Sequence, residues 1–186
     1  MLIRFILVLV LAVTALPAFS MQEAENFTLK DYNGEEHQLT NYTDNKAIVV
    51  MFIATRCPVS NDYNDRMVEL YNDYADKSVA FLGINSNKSE PVKEIKEHAE
   101  KHGFQFPVLK DHENVIADRF GATRTPEVYV LDPELNVVYH GRIDDSQRES
   151  QVETQDLRTA LDQVLAGKPV SNPKTKAFGC TIKKVD

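Results

Sequence analysis

The run Ala47-Ile48-Val49-Val50-Met51-Phe52-Ile53-Ala54 constrains this chain more than any other segment. It is continuously apolar, β-branched in its middle and too short for a core helix, which is the pattern of a strand buried on both faces. Such a strand sits in the middle of a sheet that other layers cover. With 186 residues, 42% hydrophobic and 26% charged, the chain has material for one globular core and is neither disordered nor fibrous.

Around this strand the apolar periodicity predicts an alternation of elements. Upstream, Phe27-Thr28-Leu29 and His37-Gln38-Leu39 flank Asp31-Tyr32-Asn33-Gly34, and an Asn-Gly pair between apolar runs signals a hairpin. Downstream, Val59, Tyr63, Met67, Leu70, Tyr71 and Tyr74 line one side of a 3.6-residue helix. Val79-Ala80-Phe81-Leu82-Gly83-Ile84 reads as a second buried strand, closing a βαβ unit. A helix from Pro91 turns Val92, Ile95 and Ala99 inward and stops at Gly103. A strand near Phe106 to Leu109 and a short helix from Asn114 to Phe120 follow. Val128 to Leu131 and Val137 to Tyr139 then form an antiparallel hairpin, and Leu157, Leu161, Val164 and Leu165 mark a last helix ending at Gly167. The expected architecture is a single α/β domain over residues 21–167, with two halves, β-α-β and β-β-α, sharing one sheet. Residues 168–186 read as a tail: Lys168 to Gly179 has no apolar period, and Cys180 follows it.

Residues 1–20 stand apart. Arg4 supplies a positive start, Phe5 to Val13 an apolar core, and Ala18 and Ser20 small residues at the −3 and −1 positions, the pattern of a cleavable secretory signal. The apolar run is short of the roughly 20 residues that span a bilayer and is closed by Pro17. The expected location is therefore extracytoplasmic, periplasmic or secreted, with no stable membrane association after cleavage, and such compartments let disulfides persist. Removing this segment takes away one arginine and no acid, so the net charge of −7 becomes −8. A surface this acidic repels phosphate backbones, and a nucleic-acid partner is not expected.

Two cysteines, Cys57 and Cys180, are too few for a stapled miniprotein or a four-cysteine zinc module, yet they can make and break one disulfide. Cys57 follows the central strand and precedes Pro58, a residue favoured at the first position of a helix. The sulfur is thereby expected at a helix N-terminus, where free amides and the positive dipole end favour thiolate, with Arg56 adding charge nearby. Open α/β sheets place their sites at such strand-to-helix junctions. Thr125-Pro126 stands 69 residues further on, at the entrance of another strand, and spacing alone leaves cis and trans both open there.

Strand, Ala54-Thr55-Arg56-Cys57-Pro58, helix, then Gly121-Ala122-Thr123-Arg124-Thr125-Pro126 before a hairpin together resemble the thioredoxin superfamily. Within it the chain is most similar to redoxins: peroxiredoxins of the alkyl hydroperoxide reductase/thiol-specific antioxidant kind, and extracytoplasmic thiol-disulfide oxidoreductases. The likeness runs from about Phe27 to Gly167, and the ending Gly179-Cys180-Thr181-Ile182-Lys183 is similar to the Gly-Cys-x-Ile-Lys tail of some small redoxins. The resemblance implies a three-layer α/β/α sandwich with a mixed sheet and an amino-terminal hairpin. It implies an oxidoreductase in which Cys57 attacks, Pro126 is the flanking cis proline, Thr125 beside it holds substrate backbone, and Arg124, or Arg119, steadies the thiolate. Its implied partners are protein or small-molecule thiols and disulfides, or peroxide, with an external thiol as reductant. No cofactor or metal is implied.

Three positions depart from the family. Ser60 stands where thioredoxins carry the second cysteine of Cys-x-x-Cys, which excludes ordinary exchange through that motif. Met51 occupies the place of their buried carboxylate, and Ala54 that of the Thr or Ser that orients peroxide in typical peroxiredoxins. Cys180 is the remaining candidate to resolve whatever forms on Cys57. The 12 residues Lys168 to Gly179 extend to about 40 Å, against a radius of gyration of roughly 15 Å for such a domain, so reach is no obstacle. A redox-active pair, a permanent bridge and an unpaired Cys180 all stay open. The second enzymatic reading is a peroxiredoxin-like peroxidase; the non-catalytic one is a metal- or protein-binding module of the same fold. His98 and His102 have a chelating i, i+4 spacing, but a solvated helix face explains them better, and Asp144-Asp145 and the acids of 62–65 read as exposed charge.

Overall fold

The computed structural model describes residues 23–185, so the expected signal lies outside the described residues. Strands β1 (Thr28–Lys30) and β2 (Glu36–Gln38) form the expected hairpin, paired Thr28↔Gln38. Asp31 shapes its turn by accepting from the amides of Asn33 and Glu35 through Oδ1. The apolar run becomes β3 (Ala47–Phe52), buried along its whole length. After it come α1 (Pro58–Asn61), α2 (Asn64–Tyr74), β4 (Val79–Asn85), α3 (Val92–His102), β5 (Val108–Lys110) and α4 (Val115–Phe120). The last elements are β6 (Arg124–Thr125), β7 (Glu127–Leu131), β8 (Val137–Gly141), α5 (Asp156–Leu165) and β9 (Cys180–Thr181).

The main sheet has the order β5-β4-β3-β7-β8. Strand β3 runs parallel to β4 and antiparallel to β7, so the sheet is mixed, with the buried strand at its centre. Because side chains alternate along a strand, β3 feeds two cores. Ala47, Val49 and Met51 pack with Met67 and Leu70 of α2, Ile95 of α3 and Leu157 and Leu161 of α5. Ile48, Val50 and Phe52 face the other way, toward Phe27, Leu39 and Ile116, Ala117 and Phe120 of α4. Helices therefore cover both faces, the three-layer sandwich that the resemblance implied. Among the described residues, no helix is long and apolar enough to cross a membrane.

Three expectations change. The helix after Cys57 is broken: the Tyr63 amide bonds three residues back to Ser60 O, a tightened step between α1 and α2. The apolar stripe survives it, since Tyr63, Met67, Leu70 and Tyr74 are all buried. Asp144 is not exposed: it is 4% accessible, accepts from Tyr63 Oη (2.8 Å) and pairs with Arg66 (2.6 Å). A contact 78 residues away in sequence carries no local signature, so Asp144 read as surface charge. The tail, finally, is no free loop. Pro173 O and the Thr175 amide bond to the backbone of His140, and β9 pairs antiparallel with β6.

Candidate active site

Cys57 follows β3 after a four-residue link, Ile53 to Arg56, and caps α1 with an extended backbone (φ −83°, ψ 115°), and Pro58 occupies the first helical position. Its Sγ accepts from the Ser60 amide at 3.3 Å. That amide is aimed at the sulfur, where it would favour negative charge once the bond to Cys180 is reduced. The dipole expected behind it is weaker than predicted, because α1 is four residues long and the macrodipole sums over aligned peptides. Ser60, standing where a local second cysteine would be, instead accepts from the Ala54 amide (3.2 Å) and ties the strand end to the first turn.

Cys57 is bonded to Cys180 across 123 positions of sequence, with Cα atoms 5.9 Å apart, inside the range a bridge requires. Strand pairing brings them together: Thr125 stands opposite Cys180, and Arg124 opposite Thr181. The Thr125–Pro126 bond is cis, and Thr125 O lies 3.4 Å from Cys57 Sγ. The hydroxyl of Thr125 is buried and has no hydrogen-bond partner among the described residues. Cys57, Cys180, Thr125 and Pro126 thus converge. Arg124 does not turn to the sulfur pair for its bonds: its guanidinium donates to Gly179 O and Thr181 Oγ1, both at 3.2 Å, and so clasps the tail. Arg119 forms an ion pair with Glu25 (3.4 Å). Arg56, expected to lend charge, is held by Glu94 through Nε at 2.9 Å and through Nη2. That hydrogen bond is the main reason the Glu94 carboxyl is held below its ordinary value.

Two buried carboxylates that sequence reasoning passed over fix the loops on either side. Glu90, 3% exposed, accepts from the amides of Thr55 (2.9 Å) and Arg56 (3.2 Å), the residues that lead into Cys57. Glu127 accepts from the amides of Thr123 (2.8 Å) and Arg124 (2.9 Å) and bonds His140 Nε2 (2.7 Å). Burial alone raises the Glu127 pKa, but those bonds outweigh it and bring it below its ordinary value. Its position directly after Pro126 was the one available signal. Among the described residues, Asp31, Glu35 and His37 could offer a metal three ligand atoms within 4.8 Å of one another, on the hairpin.

The His98 and His102 rings lie with centroids 4.5 Å apart, tilted by 40° to each other, and His98 Nε2 contacts Asn61 Oδ1 (3.0 Å) and Asn64 Nδ2 (3.3 Å). Burial, with the charges of His102 and Lys101 adding to it, pushes the His98 pKa from 6.5 down to about 4. The folded state thus favours the neutral ring. Its contribution to stability is full above about 6.5 and is lost as the pH falls toward about 4. A proton NMR titration is expected to find the His98 ring unchanged through pH 6.5 and titrating near 4; a midpoint at an ordinary histidine value would contradict this.

A mixed central sheet between helical layers, with a cysteine capping the first helix beside a cis proline, defines a thioredoxin-like protein. Residues 21–140 match the AhpC/TSA family, and the chain belongs to it. Thiol-disulfide oxidoreductase ResA of Geobacillus thermodenitrificans is 30% identical over 109 residues, 59% of this chain and 61% of that protein. The chain thus aligns with about three-fifths of that relative's length. Two solved structures, an uncharacterized conserved protein of Geobacillus kaustophilus and a hypothetical protein of Sinorhizobium meliloti, each superpose with a TM-score of 0.83. The first is 34% identical and covers 88% of this chain and 90% of its own; the second is 33% identical and covers 89% and 94%.

Proposed function

We propose that this protein is an extracytoplasmic thiol-disulfide oxidoreductase in which Cys57 attacks and Cys180 resolves. The observation that carries this reading is the Cys57–Cys180 bond beside the cis Thr125–Pro126 peptide, formed by a cysteine that pairing with β6 delivers from the far end of the chain. In the reduced protein the Cys57 thiolate attacks one sulfur of a substrate disulfide, whose S–S bond breaks and releases one thiolate. The Cys180 thiolate then attacks the Cys57 sulfur, breaks the mixed disulfide and releases the second thiolate. Two electrons pass to the substrate, and an external thiol returns the protein to its dithiol form. The Ser60 amide stabilises the Cys57 thiolate, Glu90 and Glu127 hold the loops on either side, and Arg124 clasps the tail that bears Cys180. The relative named ResA supports the reaction class. The signal read in residues 1–20 supports the compartment.

Family membership keeps a peroxidase reading in view, in which peroxide oxidises Cys57 to a sulfenic acid that condenses with Cys180 and releases water. Ala54, which has no hydroxyl to orient peroxide, weighs against it. The metal-binding alternative is disfavoured because both cysteines are consumed in the bond. Incubating reduced protein with oxidised glutathione and mapping the products by mass spectrometry tests the assignment. Wild type is expected to end in the internal bond, Cys180→Ser to retain glutathione on Cys57, and Cys57→Ser to yield neither. An adduct confined to Cys180, or hydrogen peroxide outpacing glutathione disulfide, would replace this reading.

A further inference from the structure

The tail holds its place through contacts that involve no sulfur. Ile182 is 3% exposed and belongs to the apolar cluster of Phe52, Leu109 and Phe120, and its amide donates to Thr123 O (3.0 Å). The Lys183 amide donates to Asn87 Oδ1 (2.8 Å), Lys183 O accepts from the Lys88 amide (2.9 Å), and the Val185 amide donates to Asn114 Oδ1 (2.6 Å). Asn87 and Asn114 are themselves buried, so lifting the tail would strip two buried carbonyls of the amides they accept from. Lys184 pairs with Asp118, and Phe178 packs edge-on against Tyr63 with ring centroids 6.2 Å apart. None of these contacts is made through the Cys57–Cys180 bond.

The same segment fills the edge of β6. An extended polypeptide binds an exposed strand edge by adding a strand to it, and here Thr125 and Arg124 are already paired with Cys180 and Thr181. The edge at which Thr125 was expected to hold substrate backbone is occupied by the protein's own tail. Gly179 seals the fit, since a Cβ on it would stand 2.1 Å from Thr125 O. Beside the sulfurs there remains a cavity of about 330 Å³ bounded by Ala54, Arg56, Asn87, Ser89, Glu90 and Lys183, a volume at the small end of those that take small molecules.

We propose that residues 179–185 form a strap that stays docked when the Cys57–Cys180 bond is reduced, and that the protein consequently acts on low-molecular-weight disulfides rather than on disulfides within extended polypeptides. The proposal rests on the thiol-disulfide reading above and specifies its substrate class. A docked strap also keeps Cys180 beside Cys57, so the resolving step stays intramolecular and needs no search by a loose tail. Both released thiolates are then small and leave through the cavity.

Two measurements test it. The first is amide hydrogen exchange at Ile182, Lys183 and Val185 in the reduced protein: retained protection is expected, and loss of protection on reduction overturns the strap whatever the activity. The second compares reduced wild type with Ile182→Ala, each supplied with oxidised glutathione or with insulin, following disulfide reduction. Wild type is expected to favour the small disulfide by at least about tenfold, and Ile182→Ala, which removes the buried anchor, to narrow that preference by about tenfold through faster insulin reduction. Equal rates on the two substrates in wild type, or an unchanged preference in the variant, overturns the substrate class. Persisting protection with reduction of neither disulfide would instead show that the thiol-disulfide reading has failed, and the substrate class would fall with it.

Discussion

Gly179→Ala is expected to slow closure of the Cys57–Cys180 bond by about a hundredfold or more, because it detaches the segment that holds Cys180 in place. Gly179 has φ +144°, a conformation that residues with a Cβ rarely adopt, and the added carbon would stand 2.1 Å from Thr125 O and 2.9 Å from Thr125 C. Backbone atoms of a cis-proline strand offer no flexible side chain that could move aside. The segment from Gly179 to Thr181 must therefore lift off β6, and with it go the Arg124 clasp and the β6–β9 ladder. Cys180 then becomes a thiol on a flexible tether, whose effective concentration is only millimolar. Stopped oxidation of the reduced protein, read by thiol alkylation and mass shift, measures the rate. Replacement of the exposed Lys176 by alanine serves as the control and is expected to leave it unchanged. A Gly179→Ala protein that closes its disulfide at the wild-type rate would contradict the tight approach of Gly179 to Thr125.

Reduction of the bond is expected to lower the melting temperature by about 10–20 °C. The bond joins residues 123 positions apart, and in the chain-entropy model tying so long a loop in the unfolded chain stabilises the folded state by about 4–5 kcal/mol. For a domain of this length each kcal/mol moves the midpoint by about 2–4 °C. The effect acts through the unfolded state, so the folded structure is expected to keep its circular dichroism after reduction. The double variant Cys57→Ser/Cys180→Ser should melt with the reduced protein. A shift of only a degree or two would mean that the unfolded chain is already compact around these residues.

Much of the architecture was legible because it rests on local pattern. The run Ala47 to Ala54 declared a strand buried on both faces, and β3 is that strand at the centre of five. The stripe from Tyr63 to Tyr74, the turn at Asn33-Gly34 and the helix stops at Gly103 and Gly121 were readable for the same reason. The break between α1 and α2 was not, because the apolar stripe runs unbroken through a single tightened turn. Asp144 and Glu90 were read as exposed charge or not singled out, because the groups that satisfy them, Arg66 with Tyr63 and the amides of Thr55 and Arg56, come from distant parts of the chain.

By itself the sequence determined that this chain makes an α/β domain with a cysteine at a strand-to-helix junction and a second cysteine near its end, since hydrophobic period, turn residues and Pro58 act within a few positions of one another. Only the tertiary structure decided where the second cysteine sits, bonded to Cys57 and paired opposite Thr125. The tail from Lys168 onward has no period to read; its order comes from Ile182 entering a core built by residues more than forty positions upstream, and from backbone pairing with β6. Pairing of that kind is made by peptide groups, which every residue carries, and so leaves almost no trace in the identity of the side chains.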